Sequence, residues 1–401
     1  MRPLALTAAL LTALTATAAT TAAEPAPAAP AAAAAPRWVH SCAAPARADT
    51  ASCDALRVIR PGTAATAGDD GYGPAELRAA YGLPADGGEG ATIALVDAYD
   101  HPRAEADLGT YRERYGLPAC TSASGCFRKT DQRGGTRLPR GDTAWAGETA
   151  LDLAMVSAVA PRARIVLVEA DSAAVSDLGT AVDTAVALGA RYVSISWGTT
   201  ENANAAAYDS RYFDHPGVVI AAASGDGGYG VNFPASSPHV VAVGGTTLRP
   251  DGTAPRGWSE SAWSTGPDEG AASGCSGRLP KPDWQTDPGC DRRTVADVSA
   301  VADPATGVAV YQSYGGNGWY TYGGTSAAAP IIAATYALAG RPSAGSRPAS
   351  FPYRHPDALH DVTSGATADS CDPAYLCTAG PGYDGPTGLG SPDGVAAFRE
   401  G

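Results

Sequence analysis

From Thr92 onward the chain alternates short, continuously apolar runs with stretches of helical pattern, and that alternation leaves few folds open. Thr92–Asp97, Arg164–Glu169, Arg191–Ser196, Val218–Ala223 and His239–Val243 are short, apolar and β-rich, whereas Leu151–Val159 and Val175–Leu188 read as helices. A strand apolar on both sides must be covered on both sides. Such strands separated by helices predict an α/β fold: a parallel sheet with helices on both faces. The chain has 401 residues, 44% of them hydrophobic. That is enough to bury one large core, expected as a single domain of about 300 residues after processing. Arg341–Asp357 is Pro-rich and leads into a small C-terminal lobe.

Gly323-Gly324-Thr325-Ser326-Ala327-Ala328-Ala329-Pro330 puts a serine hydroxyl at a glycine-tight turn before an apolar run to Ala339. Without Cβ atoms at Gly323 and Gly324 the backbone can take unusual dihedrals and let a carbonyl come close, as a nucleophile turn requires. The same octapeptide also reads as an ordinary helix N-cap. A serine nucleophile needs a base, most often histidine. None of His40, His101, His215, His239, His355 and His360 sits in a His-Gly-Thr setting, and each reads as structural or solvated. Where a helix should carry the base stand Glu148 and Asp152, four apart and therefore on one face. Among Leu151, Leu153, Met155, Val156 and Val159 two like charges are costly unless used, the alternative being a wet helix edge. A third signal is Ser224-Gly225-Asp226-Gly227, entered from the apolar run Val218–Ala223. Active-site groups sit at such strand ends, although Ser-Gly-Asp-Gly alone is a turn. Asp97, at the end of the first strand, reads as a helix cap or structural residue in preference to a member of the acidic cluster.

In this order the motifs resemble the sedolisin family of serine-carboxyl peptidases, which share the subtilisin-like fold. Glu148 and Asp152 match its Glu-x-x-x-Asp helix, Asp226 its Ser-Gly-Asp turn and Ser326 its Gly-Thr-Ser-x-x-x-Pro nucleophile. Tyr192–Gly198 looks like the family's substrate-lining strand, and Ala262–Ser264, Lys281–Gln285 and Asp297–Ala300 are similar too, so the resemblance covers residues 71–401. It implies a serine-type endopeptidase acting on proteins or peptides at acidic pH through an acyl-enzyme. Ser326 attacks, Glu148 takes its proton, Asp152 orients Glu148, and a protonated Asp226 stabilises the oxyanion. Ser196, Trp197 and Gly198 would line the substrate groove. One Ca2+ ion is implied as well, held by Asp361, Val362, Gly380, Gly382 and Asp384 in a calcium-binding C-terminal lobe; without the resemblance these are Asp-Gly turns. Glu148 must be able to accept a proton while Asp226 still holds one, which implies a window of roughly pH 3 to 5. The competing readings are a catalytically silent secreted binding domain of the same fold and a neutral subtilisin-type hydrolase, the latter disfavoured by the missing histidine.

Residues 1–23, with Arg2 and a Leu/Ala stretch, read as a secretion signal. Residues 24–70 read as an Ala/Pro tether followed by a short precursor segment or N-terminal extension, where the family carries a much larger folded propeptide. Eight cysteines fall as neighbours, Cys42/Cys53, Cys120/Cys126, Cys275/Cys290 and Cys371/Cys377. Four short-loop disulfides are the simplest of about 105 pairings and agree with export. Zinc competes, but no pair has knuckle spacing. A net charge of −13 argues against nucleic acid and fits a protein that works in acid. No later segment is long and apolar enough to span a bilayer, so a secreted, extracellular monomer is expected.

Overall fold

The computed structural model describes residues 37–45, 47–59, 71–266 and 268–401, so the expected signal, the tether and residues 60–70 lie outside the described residues. One large sheet organises the rest. Its strands lie in the order Trp258–Ala262, Val241–Pro250, Val219–Ala223, Tyr192–Ile195, Thr92–Ala98, Arg164–Ala170 and Phe127–Asp131, with Val298–Val301 also paired to Val241–Pro250. Every pairing is parallel except the hairpin of Val241–Pro250 with Trp258–Ala262. Parallel pairing collects the carboxyl ends of the strands at one edge, where Asp97, Ser196 and Asp226 stand at or just beyond their strand ends.

Four of the five expected runs are buried on both faces, and the run near His239 begins at Val241 and extends to Pro250. Phe127–Asp131 carries no apolar run because it is an edge strand. Phe127, Thr130 and Asp131 turn inward while Arg128 stays wet.

Helix Thr143–Val159 begins at Asp142, whose carboxylate accepts from the Ala144 and Trp145 amides at 3.0 and 3.2 Å. It is buried from Trp145 to Val159 and packs on helix Thr325–Ala339, while Val175–Ala187 packs on strands Thr92–Ala98 and Arg164–Ala170. A helix enclosed by protein on all sides shows no polar stripe, which is why its acidic pair stands in an apolar context.

The N-terminal extension lies on this body. Arg37–His40 pairs with Leu56–Ile59, which pairs with Gly318–Gly323, and Ser52–Cys53 pairs with Trp197–Thr200. All four expected disulfides are formed.

One buried ion pair anchors the chain behind the sheet. Arg293 and Asp297 are both fully buried and joined at 2.7 Å (Nη1 to Oδ1) and 2.5 Å (Nη2 to Oδ2). The Tyr353 hydroxyl and the Ala242 amide complete Asp297 at 2.7 and 2.8 Å. Removing one partner strands the other charge in the core. Arg293→Met is expected to cost about 3–5 kcal/mol of unfolding free energy, read from urea denaturation; a loss below about 1 kcal/mol would show that Asp297 finds another partner or a proton.

Candidate active site

Ser326 stands in the first turn of helix Thr325–Ala339, two residues after the N-cap Gly324 with its φ of 93°. A Cβ at Gly324 would lie 2.1 Å from the Asp54 carbonyl oxygen and 2.6 Å from Asp226 Oδ2, and one at Gly323 2.5 Å from the Ala302 carbonyl. Glycine is therefore needed here for both dihedral and space. The Ser326 hydroxyl donates to Glu148 Oε2 at 2.9 Å and lies 3.0 Å from the Ser196 carbonyl oxygen. No histidine bonds to it among the described residues. His101, fully buried, is spent on Asp107 at 3.1 Å.

Glu148 sits on a helix that packs on strand Val308–Gln312 and passes close to the Tyr322 side chain. A Cβ on Gly147 would stand 2.7 Å from the Tyr322 hydroxyl, so this glycine sets how near the helix comes. Asp152, one turn on, accepts from the Ser196 hydroxyl at 2.7 Å. The pair shares a face, as its spacing predicts, without a direct hydrogen bond: Glu148 Oε1 and Asp152 Oδ2 are buried and unpartnered among the described residues. Burial, then the charge of Asp152 and Asp97, holds the Glu148 carboxyl well above its usual range; burial, then Asp97, does the same to Asp152.

The cap reading of Asp97 is corrected here. The following helix, Ala104–Arg114, has Arg103 at its N-cap, whereas Asp97 is fully buried against the acidic pair and pushed up to about 7 by burial. It is a third carboxyl of the cluster. The strand by itself leaves both readings of Asp97 open, because helix Thr143–Val159 comes to it from elsewhere in the chain.

Asp226 enters from strand Val219–Ala223. Its Oδ1 accepts from the amide and the hydroxyl of Thr325 at 2.8 and 2.9 Å, which leaves Oδ2 buried and unpartnered among the described residues. Burial lifts this carboxyl to about 7. Thr325 thus aims the acid toward the serine turn, a role its place in a Gly-Thr-Ser triplet does not disclose.

Of the expected groove residues, Ser196 and Gly198 present their backbones. Trp197 differs: its ring is fully buried, bonded to the Val96 carbonyl at 2.8 Å and packed near Phe213, so only its main chain faces the groove. Asp54, which no motif marks, also stands at the site. It is 8% exposed and lies beside Asp226, and burial, then Asp226, raises its carboxyl well above the usual range. Nothing in the residues around Cys53 signals that position.

The residues expected to hold a metal offer the oxygen donors that suit a hard cation. Asp384 is 1% exposed and lifted to about 7 by burial, with Asp361 adding to the rise. The amides of Gly380 and Gly382 turn to Asp384 and Asp361 at 3.1 and 2.9 Å. The Val362, Gly380 and Gly382 carbonyls accept no hydrogen bond among the described residues. Two carboxyls and three free carbonyls are the donors a calcium ion takes. Among the described residues no group of three or more His, Cys, Asp or Glu side chains is placed to hold a metal.

The subtilase family (Peptidase S8) signature matches residues 141–349, a little over half of the 401-residue chain, and stops short of the Asp361–Asp384 set. Kumamolisin from Bacillus sp. (strain MN-32) is 35% identical over 367 residues, 82% of this chain and 63% of that protein. Sedolisin from Pseudomonas sp. (strain 101) is 38% identical over 183 residues, 41% of this chain and 29% of that protein. The chain therefore spans under two thirds of these relatives' length. A solved structure of Pseudomonas sedolisin, a serine-carboxyl proteinase complexed with two molecules of pseudo-iodotyrostatin, superposes with TM-score 0.68 at 27% identity, covering 81% of this chain and 96% of that one.

The raised carboxyls make stability depend on pH. Asp97 and Asp226 titrate near 7 when folded and near 4 when unfolded, so the folded state binds the extra protons between those values and loses stability as pH rises through them. Asp214 and Asp251, held low by Arg347 and the Thr253 hydroxyl, act in the opposite sense only below about pH 4. The melting temperature of Ser326→Ala, used to prevent self-digestion, is expected to be highest near pH 4 and to fall steadily to about pH 7. A flat or rising trend across that span would refute the buried, neutral cluster.

Proposed function

The chain belongs to the subtilase family, in its sedolisin branch, and from that premise we propose that it is a secreted serine-carboxyl endopeptidase cleaving proteins or peptides in acid. The observation that carries the reading is the 2.9 Å hydrogen bond from the buried Ser326 hydroxyl to Glu148. Ser326 Oγ attacks the scissile carbonyl as its proton passes to Glu148, which then gives that proton to the departing amine. Asp152 steadies Ser196, whose carbonyl lies 3.0 Å from the nucleophile, and the unpartnered oxygens of Glu148 and Asp152 leave room for one proton held by the pair. The Ser326 amide and Asp226 Oδ2 stabilise the oxyanion. Asp226 does so only while protonated, because an ionised carboxylate would repel the developing charge.

Export is supported by four disulfides, which persist in oxidising surroundings. Among the described residues no helix is long and apolar enough to cross a membrane. Calcium would be held by Asp361 and Asp384 with the carbonyls of Val362, Gly380 and Gly382. The ion would offset the charge of two carboxyls held close together and fix the loop that packs on Ala296 through the Gly385 carbonyl at 2.7 Å.

Three measurements test this reading. Ser326→Ala should lower hydrolysis of denatured casein at least about 1,000-fold with circular dichroism unchanged; substantial turnover by a folded variant refutes the nucleophile. The pH profile should be bell-shaped with an acid maximum, its alkaline limb falling through about 7 as Asp226 ionises. Asp226→Asn, which donates without a titrating proton, should extend that limb upward even if the peak drops; a maximum at pH 7 to 8 in the unmodified protein would return attention to a histidine base. EGTA should lower the melting temperature of the parent and leave Asp384→Ala unaffected, whereas no change in the parent, with no metal by elemental analysis, removes the ion.

A further inference from the structure

The amino ends of the parallel strands form the pole of the molecule opposite Ser326, and three arginines meet there. Arg164 opens strand Arg164–Ala170 and Arg191 stands just before strand Tyr192–Ile195, so the two flank Thr92 on the strand between them. Their main chains are fixed. The Arg164 amide donates to the Ala91 carbonyl at 3.0 Å, and the Arg191 carbonyl accepts from the Val219 amide at 2.9 Å. A strand spacing of about 4.8 Å holds them roughly 10 Å apart. Arg341 arrives just past Gly340, the C-cap of the helix whose first turn carries Ser326, about 20 Å along that helix. All three line one cavity of about 540 Å³.

A shortage of carboxylates does not explain this cluster. The chain has 41 Asp and Glu against 28 Lys and Arg, yet none of the three guanidiniums forms an ion pair among the described residues. Glu89 is the one acid in the cavity wall among the described residues, and it lies exposed without joining them. The C-termini of helices Val175–Ala187 and Thr325–Ala339 ease the repulsion, since cations are favoured there. They do not account for Tyr192. It lines the same cavity, is 3% exposed, and its hydroxyl has no hydrogen-bond partner among the described residues. Burial raises that hydroxyl to about 12 against the pull of the Arg341 charge, so it remains a donor beside a guanidinium. A buried donor is costly to leave without an acceptor.

We propose that this cavity binds a phosphate or sulfate group, carried by a small molecule or present as the free ion, between the three guanidiniums and the Tyr192 hydroxyl. Guanidiniums match the geometry of such oxyanions and stay charged at every pH the protein meets. The hydroxyl adds one directed donor to them. The choice of anion, though not of the site, rests on the acid working range of the serine-carboxyl reading. At pH 4 a carboxylate is about half protonated, whereas phosphate and sulfate keep at least one charge. The cavity has the size of a small-molecule site, which fits a compact ligand. Bound there, the anion ties the starts of two strands to the end of the nucleophile helix and stabilises the folded state by mass action.

Titration calorimetry at pH 4 on the Ser326→Ala chain tests the site without catalysis, so its outcome is independent of the peptidase reading. Sodium sulfate and sodium phosphate are each expected to bind saturably at one site, and sodium acetate at least about tenfold more weakly. Arg191→Gln and Arg341→Gln should each weaken sulfate about tenfold or more, and Tyr192→Phe about threefold. Arg162→Gln, a neighbouring guanidinium already paired with Asp86 at 2.6 Å, should leave the affinity unchanged. Sulfate also stabilises proteins by exclusion from their surface, so its effect on melting is read as the difference between Ser326→Ala and the same chain carrying Arg191→Gln. The chain with Arg191 intact should gain more. Glycerol 3-phosphate separates the two sources of the group: binding about tenfold tighter than inorganic phosphate assigns the site to an ester, and equal or weaker binding assigns it to the free ion. No saturable binding of sulfate or phosphate, sulfate affinity unchanged in folded Arg191→Gln and Arg341→Gln, or acetate binding as tightly as sulfate overturns the proposal.

Discussion

Everything in the site depends on keeping carboxyl groups out of water without cations beside them. Asp54, Asp97, Glu148, Asp152 and Asp226 are all at most 8% exposed, and each keeps at least one oxygen unpartnered among the described residues. Desolvation is the first cause of the rise in each of the five. The neutral form is favoured, so the condition that lets these groups be buried is the condition under which one of them can donate to an oxyanion. One physical term couples folding, working pH and chemistry.

The scaffold meets that demand through close approach. Gly147 lets the glutamate helix reach Tyr322, and Gly323 and Gly324 let the serine turn meet the Ala302 carbonyl and Asp226. The result is a hydroxyl between Glu148 and the Ser196 carbonyl, with the Thr325 hydroxyl and amide aiming Asp226. The Asp54 carbonyl fits the same glycine-lined gap, which is why an internal segment can occupy it. A surface shaped to accept an extended chain is open to any chain that reaches it.

Much of the frame was legible from residue order. The double-sided strands and the central helix announced themselves because burial on both faces leaves an unbroken apolar run, and Glu148 with Asp152 stood out because such a run tolerates charge poorly. The edge strand Phe127–Asp131 was missed for the same reason, as one wet side breaks the run. The neighbours of Trp197 point to the groove, but side chains alternate along a strand and its ring turns to the core. At Asp97 the strand end alone favours a cap or structural role, since the partners that make it part of the cluster come from a helix some fifty residues later in the chain.

Local residue order determined the class of fold, the serine turn, the acidic face of the helix and the pairing of neighbouring cysteines, because each rests on contacts between residues close in the chain or on a periodicity they share. Tertiary structure alone decided that Ser326 meets Glu148, that Asp97 joins the cluster and that Asp54 lies against the nucleophile turn. Those contacts join residues 178, 51 and 272 positions apart. Their geometry is set by parallel strand order and by how closely glycine lets helices and strands approach, and neither is written in any single segment.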